Sequence, residues 1–386
     1  MKKEKQAYIL DWSSDKIAKF RHTVLAWYDA TKRDLPWRQT TNPYNIWLSE
    51  IMLQQTQVAT VIPYYLRFID TLPTIQALAE ADEQTLLNLW QGLGYYSRVR
   101  NMQIAAQQIM ERHNGAMPNT MPDLLKLKGI GPYTAAAIGS ISFGLVEPAI
   151  DGNLLRVTAR LFEIEADISQ PKSRKIFEDI LYQLIDPERP GDFNQALMDI
   201  GATIMTPANL TPEQNPLKEF DLSYRNGTAH LYPVKSKKIK ATQHTLLAYR
   251  VQNAHGEWLL RKHDDNELLT GLWHFPLIEQ EMVFESATQG ELVEPLQTWL
   301  MEAFGQEVVA ENLKIQGYAP YGEYTPFKVK HIFSHRVWQV NVIAVQVTQE
   351  IQALQDTQWV HPNQLAAIPI STLQQKLQAP FLVEEG

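Results

Sequence analysis

The spacing of apolar residues changes character once along the chain, and that change constrains the fold more than any other feature. Up to about residue 203, apolar side chains recur at three- and four-residue steps in 16–28, 45–58, 60–70, 84–90, 98–112, 134–143, 173–185 and 193–204, with Pro, Gly or Asp between them. Such spacing is that of amphipathic helices. From about 244 the texture shortens to runs such as HTLLAYRVQ, GEWLLRKH, FKVKHIFSHRVWQVNVIAVQV and TQWVHP, broken by Gly, Asn and Asp, which reads as strands mixed with helix. A multi-domain chain follows: an all-α domain over 1–220, a linker over 221–243 and an α+β domain over 244–386. Pro207, Pro212, Pro216 and Pro233, an Asn226-Gly227 turn and the basic stretch with Arg225, Lys235, Lys237, Lys238 and Lys240 mark the intervening loop and linker,. A chain of 386 residues accommodates that organisation,.

The chain contains no cysteine. This excludes disulfides, thiol nucleophiles, thiolate zinc sites and cysteine-ligated iron–sulfur clusters. Its net charge of −8 argues against a broadly basic surface, so any nucleic-acid site must be local. The N-terminal stretch lacks the unbroken apolar run of a signal peptide, and no stretch of about 18 apolar residues occurs,. A cytoplasmic, soluble protein without a membrane partner is the expectation.

Two segments carry chemistry. In Leu124-Leu-Lys-Leu-Lys-Gly-Ile-Gly-Pro-Tyr-Thr134, one helix runs into Gly129-Ile130-Gly131 and a second begins at Pro132. Pro suits a first helical turn, and the glycines let backbone N–H groups approach an anion at a helix N-terminus. This helix-hairpin-helix pattern (124–138) fits phosphate binding by Gly129 and Gly131; a hairpin without ligand is the alternative. Further on, Asp151-Gly-Asn153 precedes the helix containing Arg156 and Arg160, where Asp151 serves either as an N-cap or as a reactive carboxylate. Glu50, in Trp47-Leu-Ser-Glu-Ile-Met-Leu-Gln-Gln-Thr56, stands among apolar neighbours on an expected helix that Asn45 or Ser49 would cap. Desolvation raises the pKa of such a carboxyl and suits it to general-acid work. Two carboxylates in different settings are what cleavage of a glycosidic bond requires.

With Arg33-Asp-Leu-Pro-Trp-Arg38 and Leu89-Trp-Gln-Gly-Leu-Gly-Tyr-Tyr-Ser-Arg98 added, these segments closely resemble the MutY family of adenine DNA glycosylases, within the helix-hairpin-helix superfamily. The resemblance runs from about residue 20 to 380. It implies removal of adenine mispaired with 8-oxoguanine or guanine in double-stranded DNA, by a chain expected to be monomeric. It implies Glu50 as general acid at adenine N7, Asp151 as the carboxylate that stabilises or captures the sugar cation, and Tyr133 and Asn153 as positioning groups. Arg38 and Gln195 match positions lining the adenine pocket; Gln55, Thr56, Leu93 and Tyr95 match residues that wedge into the duplex. Endonuclease III relatives carry a lysine where Tyr133 stands, so the resemblance implies a monofunctional enzyme without a Schiff-base step.

The second domain resembles the Nudix-like C-terminal domain of that family through Leu268-Leu-Thr-Gly-Leu-Trp-His-Phe-Pro276. The resemblance implies that Phe333, Ser334 and His335 read 8-oxoguanine. A Nudix hydrolase needs a glutamate cluster on one helix, and Leu292 to Gly305 offers only Glu294 and Glu302, which disfavours pyrophosphohydrolysis. Most members hold a [4Fe–4S] cluster on four cysteines spaced by six, two and five residues. At that spacing stand Met205, Pro212, Asn215 and Asp221. The resemblance therefore implies a clusterless variety with a vestigial loop over 205–221, held by apolar packing of Met205, Ile204, Leu210, Leu217 and Phe220. No cofactor is expected; whether a monovalent cation sits at Gly129 to Gly131 is left open. The alternative in another class is a non-catalytic lesion-binding protein.

Overall fold

The computed structural model describes residues 8–210, 213–236, 241–264, 267–279, 288–305, 307–316, 327–333, 335–353 and 356–382. Pro212, Lys237, Lys238, Lys240 and Ser334, all singled out above, lie outside them. Backbone contacts divide the chain into two compact units. One gathers residues up to Ala81 with Ser97–Lys237, and the other gathers Asp82–Tyr96 with residues from Lys238 on. No described helix is long and apolar enough to cross a membrane.

The first unit is helical: α1 (Ser14–Thr31), α2 (Pro43–Leu53), α3 (Val58–Thr71) and α4 (Ile75–Glu80) precede a segment that belongs to the other unit. That segment carries α5 (Glu83–Trp90), whose Gln84 donates to the Ala367 carbonyl at 2.7 Å; downstream, the Tyr96 hydroxyl donates to Ile370 at 3.2 Å. These bonds draw 82–96 away from the helical grouping that its apolar period suggests. The chain then continues through α6 (Ser97–His113), α7 (Met121–Leu124), α8 (Pro132–Phe143), α9 (Gly152–Phe162), α10 (Arg174–Leu184), α11 (Pro190–Asp199) and α12 (Leu222–Asn226).

Helix α2 starts earlier than the cap expected at Asn45 or Ser49. Asn42 is the cap: its side chain accepts from the Tyr44 N–H, and Pro43 opens the first turn, an arrangement that satisfies the orphan N–H groups without demanding one from proline. Ser49 instead turns inward and donates to the Ile46 carbonyl at 2.9 Å. The helix is consequently buried on every side from Ile46 to Met52, Glu50 included. Helix α8 packs against it, buried from Thr134 to Ser140. A separate apolar core joins α1, α9, α10 and α11 through Phe20, Leu154, Phe177, Phe193 and Phe220.

The second unit is built on a mixed eight-stranded sheet. Its strands are β1 (Thr242–Gln252), β2 (Trp258–Lys262), β3 (Trp273–His274), β4 (Leu277–Glu279), β5 (Leu313–Ile315), β6 (Phe327–Ile332), β7 (Arg336–Val347) and β8 (Thr357–Val360), in the path β3-β2-β1-β7-β5, with β4 beside β1, β6 beside β7 and β8 beside β2. Strands β1 and β7 are parallel from Thr242 opposite Arg336 to Gln252 opposite Gln346. Both faces are covered. Leu246, Ala248, Val340 and Val342 face a core that includes Leu373 and Leu377 of α14 (Thr372–Gln378), while Leu247, Tyr249, Ile343 and Val345 face α13 (Gln289–Phe304) through Leu296 and Leu300. That two-sided burial explains why the middle of β7 is continuously apolar rather than alternating.

Candidate active site

Four elements of the first unit bring their ends to one cavity of about 540 Å³. Glu50 comes from the buried face of α2 and Tyr133 from the first turn of α8; Asp151 stands at the start of α9 and Gln195 on α11. Arg38, from the 3₁₀ turn Pro36–Arg38, and Asn153 complete the polar lining, and Gln55 and Thr56 stand at the same cavity.

Glu50 is 7% exposed and accepts a short hydrogen bond from the Tyr133 hydroxyl. Burial raises its pKa to about 7; Tyr133 and Arg38 pull it down, and the nearby Asp151 carboxylate pushes it up. The same burial, with Glu50 and Asp151 alongside, drives the Tyr133 hydroxyl well above its ordinary value, so Tyr133 remains a proton donor. Asp151 fills both roles considered above. Its Oδ1 caps α9 by accepting from the N–H groups of Asn153 at 2.9 Å and Leu154 at 2.8 Å, and its Oδ2 accepts from Asn153 Nδ2 at 2.7 Å. Burial raises its pKa, against the pull of those donors and Arg156. The cap therefore fixes the carboxylate in orientation while α9's N-terminus faces its charge.

Three further polar groups, Asp199, Asn194 and Arg156, hold the side chains that line the cavity or the backbone leading to them. Asp199, 2% exposed, accepts from both nitrogens of the Arg38 fork, at 3.0 and 3.1 Å, and also from Arg33. Arg38 further donates to the Tyr28 hydroxyl at 2.9 Å. Asn194 holds the approach to Asp151, accepting from Ala149 N–H at 3.0 Å and donating to the Glu147 carbonyl at 2.8 Å. Arg156 links Asn153 Oδ1 (2.7 Å) to the carbonyls of Gly201 (2.7 Å) and Met205 (2.8 Å). Their signal in the sequence is no more than adjacency to a motif residue, which does not reveal partners some 45 positions or more away.

At the hairpin, Gly129 takes φ +77°, and a Cβ there would sit 2.8 Å from Asn101 Cβ. Glycine is thus required for both conformation and space. Gly131 is exposed and caps the 12-residue α8 with extended backbone.

Gln55 and Tyr95, two of the wedge candidates, hold positive φ of 60° and 49°, an uncommon conformation for such residues. Gln55 is exposed and Tyr95 is 47% exposed. Leu93 departs from the expectation. It is 6% exposed, so its side chain is buried and does not project as a wedge would. Phe333 stacks edge-on with His331 and Trp338, and His335 is exposed, its carbonyl accepting from Thr242 N–H at 3.0 Å. Glu294 and Glu302 line a second cavity, of about 950 Å³, in that unit.

The described cluster positions are occupied by a different kind of fastening. Met205, Leu217 and Phe220 enter the core beside α1 and α9 with Ile204 packed against it, but Leu210 is 37% exposed and takes no part. Asn215 and Asp221 are each 2% exposed and joined by a 3.0 Å hydrogen bond from Asn215 Nδ2; Asp221 also caps α12 through the Tyr224 N–H at 3.0 Å. Arg160, 2% exposed, clamps the loop by donating to the carbonyls of Thr206, Asn209 and Tyr232.

Residues 48–183 match the HhH-GPD superfamily of base excision DNA repair proteins, and residues 247–379 match the NUDIX domain family. The adenine DNA glycosylase of Mus musculus is 32% identical over 94% of this chain and 77% of its own length. The chain belongs to the adenine DNA glycosylase family. The Arabidopsis thaliana adenine DNA glycosylase is 35% identical over 87% of this chain, which spans 59% of that relative's length. Among solved structures, a thermostable thymine-DNA glycosylase superposes with a TM-score of 0.50 at 25% identity, covering 55% of this chain and 98% of its own. The helical unit thus shares its fold with glycosylases, and the adenine glycosylase relatives extend the likeness through the Nudix-like unit. With no cysteine in the chain, this family member has no thiolate with which to hold an iron–sulfur cluster.

Proposed function

We propose that this chain is a monofunctional base-excision glycosylase that hydrolyses the N-glycosidic bond of adenine mispaired with 8-oxoguanine, or with guanine, in duplex DNA. The observation that carries the reading is the buried Glu50, protonatable near pH 7, beside an Asp151 carboxylate fixed by a helix cap. Glu50 delivers its proton to N7 of an extruded adenine, weakening the bond from the base to C1′. As that bond breaks, its electron pair leaves with adenine and the sugar becomes an oxocarbenium ion. Asp151 stabilises or captures this cation until water completes an abasic site. Tyr133 and Asn153 hold the two carboxylates, and Arg38 and Gln195 border the base. Tyr133 has no amine to form a Schiff base, so strand scission is not part of the reaction.

In this reading residues 1–220 perform the cleavage, with Gly129 and Gly131 on a phosphate and Gln55, Thr56 and Tyr95 against the duplex. Residues 244–386 read the opposing 8-oxoguanine through Phe333, Ser334 and His335. The protein acts as a monomer in the bacterial cytoplasm. A single-turnover assay on a duplex with one A:8-oxoguanine pair, followed by alkali, tests the proposal. Strand breaks should appear at the adenine with wild type and be absent with Glu50→Gln. Tight binding without breaks would make the protein a lesion binder instead.

A further inference from the structure

Three side chains of the Nudix-like unit converge although base excision uses none of them. His263 follows β2, His274 ends β3, and Glu267 lies between them in the chain. Antiparallel pairing of Lys262 with Trp273 and a 3.0 Å bond from the His263 N–H to the Leu272 carbonyl bring the imidazoles face to face. Their centroids are 3.5 Å apart, and one donor atom from each of the three residues lies within 4.8 Å of the other two.

The hydrogen bonds settle which nitrogen of each ring carries the proton. His274 Nδ1 abuts the Phe275 carbonyl, and His263 Nδ1 lies 3.1 Å from a Glu267 carboxylate oxygen. Both partners only accept, so each Nδ1 donates and each Nε2 is a bare lone pair. The two rings are 6% and 2% exposed, and neither Nε2 has a hydrogen-bond partner.

We propose that His263 and His274 bind a divalent transition-metal ion of the zinc class through their Nε2 atoms, with Glu267 anchoring His263 and contributing compensating charge. A histidine whose Nδ1–H is tied to a carboxylate or backbone carbonyl is oriented as metal-ligating histidines are. Imidazole donors select zinc, cobalt, nickel or copper over magnesium and calcium. The rings lie 28° from parallel and splay from their stack when both coordinate; water fills the remaining positions. Glu267, its side chain 33% exposed, also lines the 950 Å³ cavity together with Glu294, Glu302 and Asp356. The site is independent of the base-release reading.

The test uses the full chain, stripped with chelator and dialysed against low-micromolar Zn²⁺, or against Co²⁺ as a spectroscopic probe. One ion per chain should be retained, Co²⁺ should show visible ligand-field bands, and Zn²⁺ should raise the Tm. His263→Gln and His274→Gln should each weaken retention at least tenfold, and Glu267→Gln by about 10–100-fold as an outer-shell loss. Circular dichroism checks that each variant is folded, and Glu267→Gln, at a partly exposed position, supplies the comparison if a histidine variant is not. The proposal is overturned if wild type retains neither ion, or if folded variants retain it as wild type does.

Discussion

In the proposed reaction Glu50 owes its proton to its surroundings. A carboxyl that ionises near 4.5 when solvated is held to about 7 by burial in α2, so the single-turnover rate should fall about tenfold per unit above pH 7, and fall again on the acid side as Asp151, its own pKa raised by burial, takes up a proton,. The same shift makes ionised Glu50 a burden on the fold. Its folded pKa exceeds the unfolded one, so the associated stability is fully present below about pH 4.5 and is lost as pH rises to about 7. Glu50→Gln should therefore abolish base release yet be the more stable protein at pH 8, by up to about 3 kcal/mol, with the gap closing toward pH 4.5 in a Tm series. Asp199 works at one remove, since it neutralises Arg38 and Arg33 at the cavity wall. Asp199→Asn should cost about 3–5 kcal/mol in denaturant unfolding, as breaking a buried ion pair does. It should also move the descending limb of the pH–rate profile to lower pH, because an unpaired Arg38 lowers Glu50 more strongly.

Helix α9 connects the candidate site to the loop over 205–221. Its first turn is capped by Asp151, and its Arg156 and Arg160 side chains reach the carbonyls of residues 201–209. The ties on this segment are a buried methionine, an Asn215–Asp221 hydrogen bond and two arginines. Gly201 shows how tightly the two parts fit, since a Cβ there would lie 2.7 Å from Asn153 Cβ and strike its backbone at 3.1 Å. Gly201→Ala should displace Asn153 and slow base release by about 10–100-fold, on the scale of a misplacement near 1 Å, with circular dichroism unchanged. Asn215→Asp should instead act on stability. A second carboxylate against the buried Asp221 should lower the Tm by several degrees.

At the scale of the molecule, a chain of net charge −8 must bind DNA through local contacts, so affinity should fall steeply with salt, log-linearly, as a small number of phosphate contacts requires. If the Nudix-like unit reads the opposing base, His335→Ala should reduce the preference for 8-oxoguanine over guanine while leaving adenine release intact at saturating enzyme. The change from helical to strand texture, the hairpin and the strand content were legible in the sequence because periodicity and turn chemistry are local properties of a chain. Other features were not: the cap at Asn42, the grouping of 82–96 with the second unit, the burial of Leu93 and the ion pairs of Asp199. Each depends on a partner far along the chain or on burial from several sides. The sequence by itself determined which residues are present to do chemistry and, by the absence of cysteine, which chemistry is excluded. Only the tertiary structure decided that Glu50 is surrounded closely enough to hold a proton at neutral pH, that Asp151 is both cap and carboxylate, and that two histidines meet with bare nitrogens. Desolvation and hydrogen-bond satisfaction depend on every neighbour in space, and the linear order of residues names only two of them.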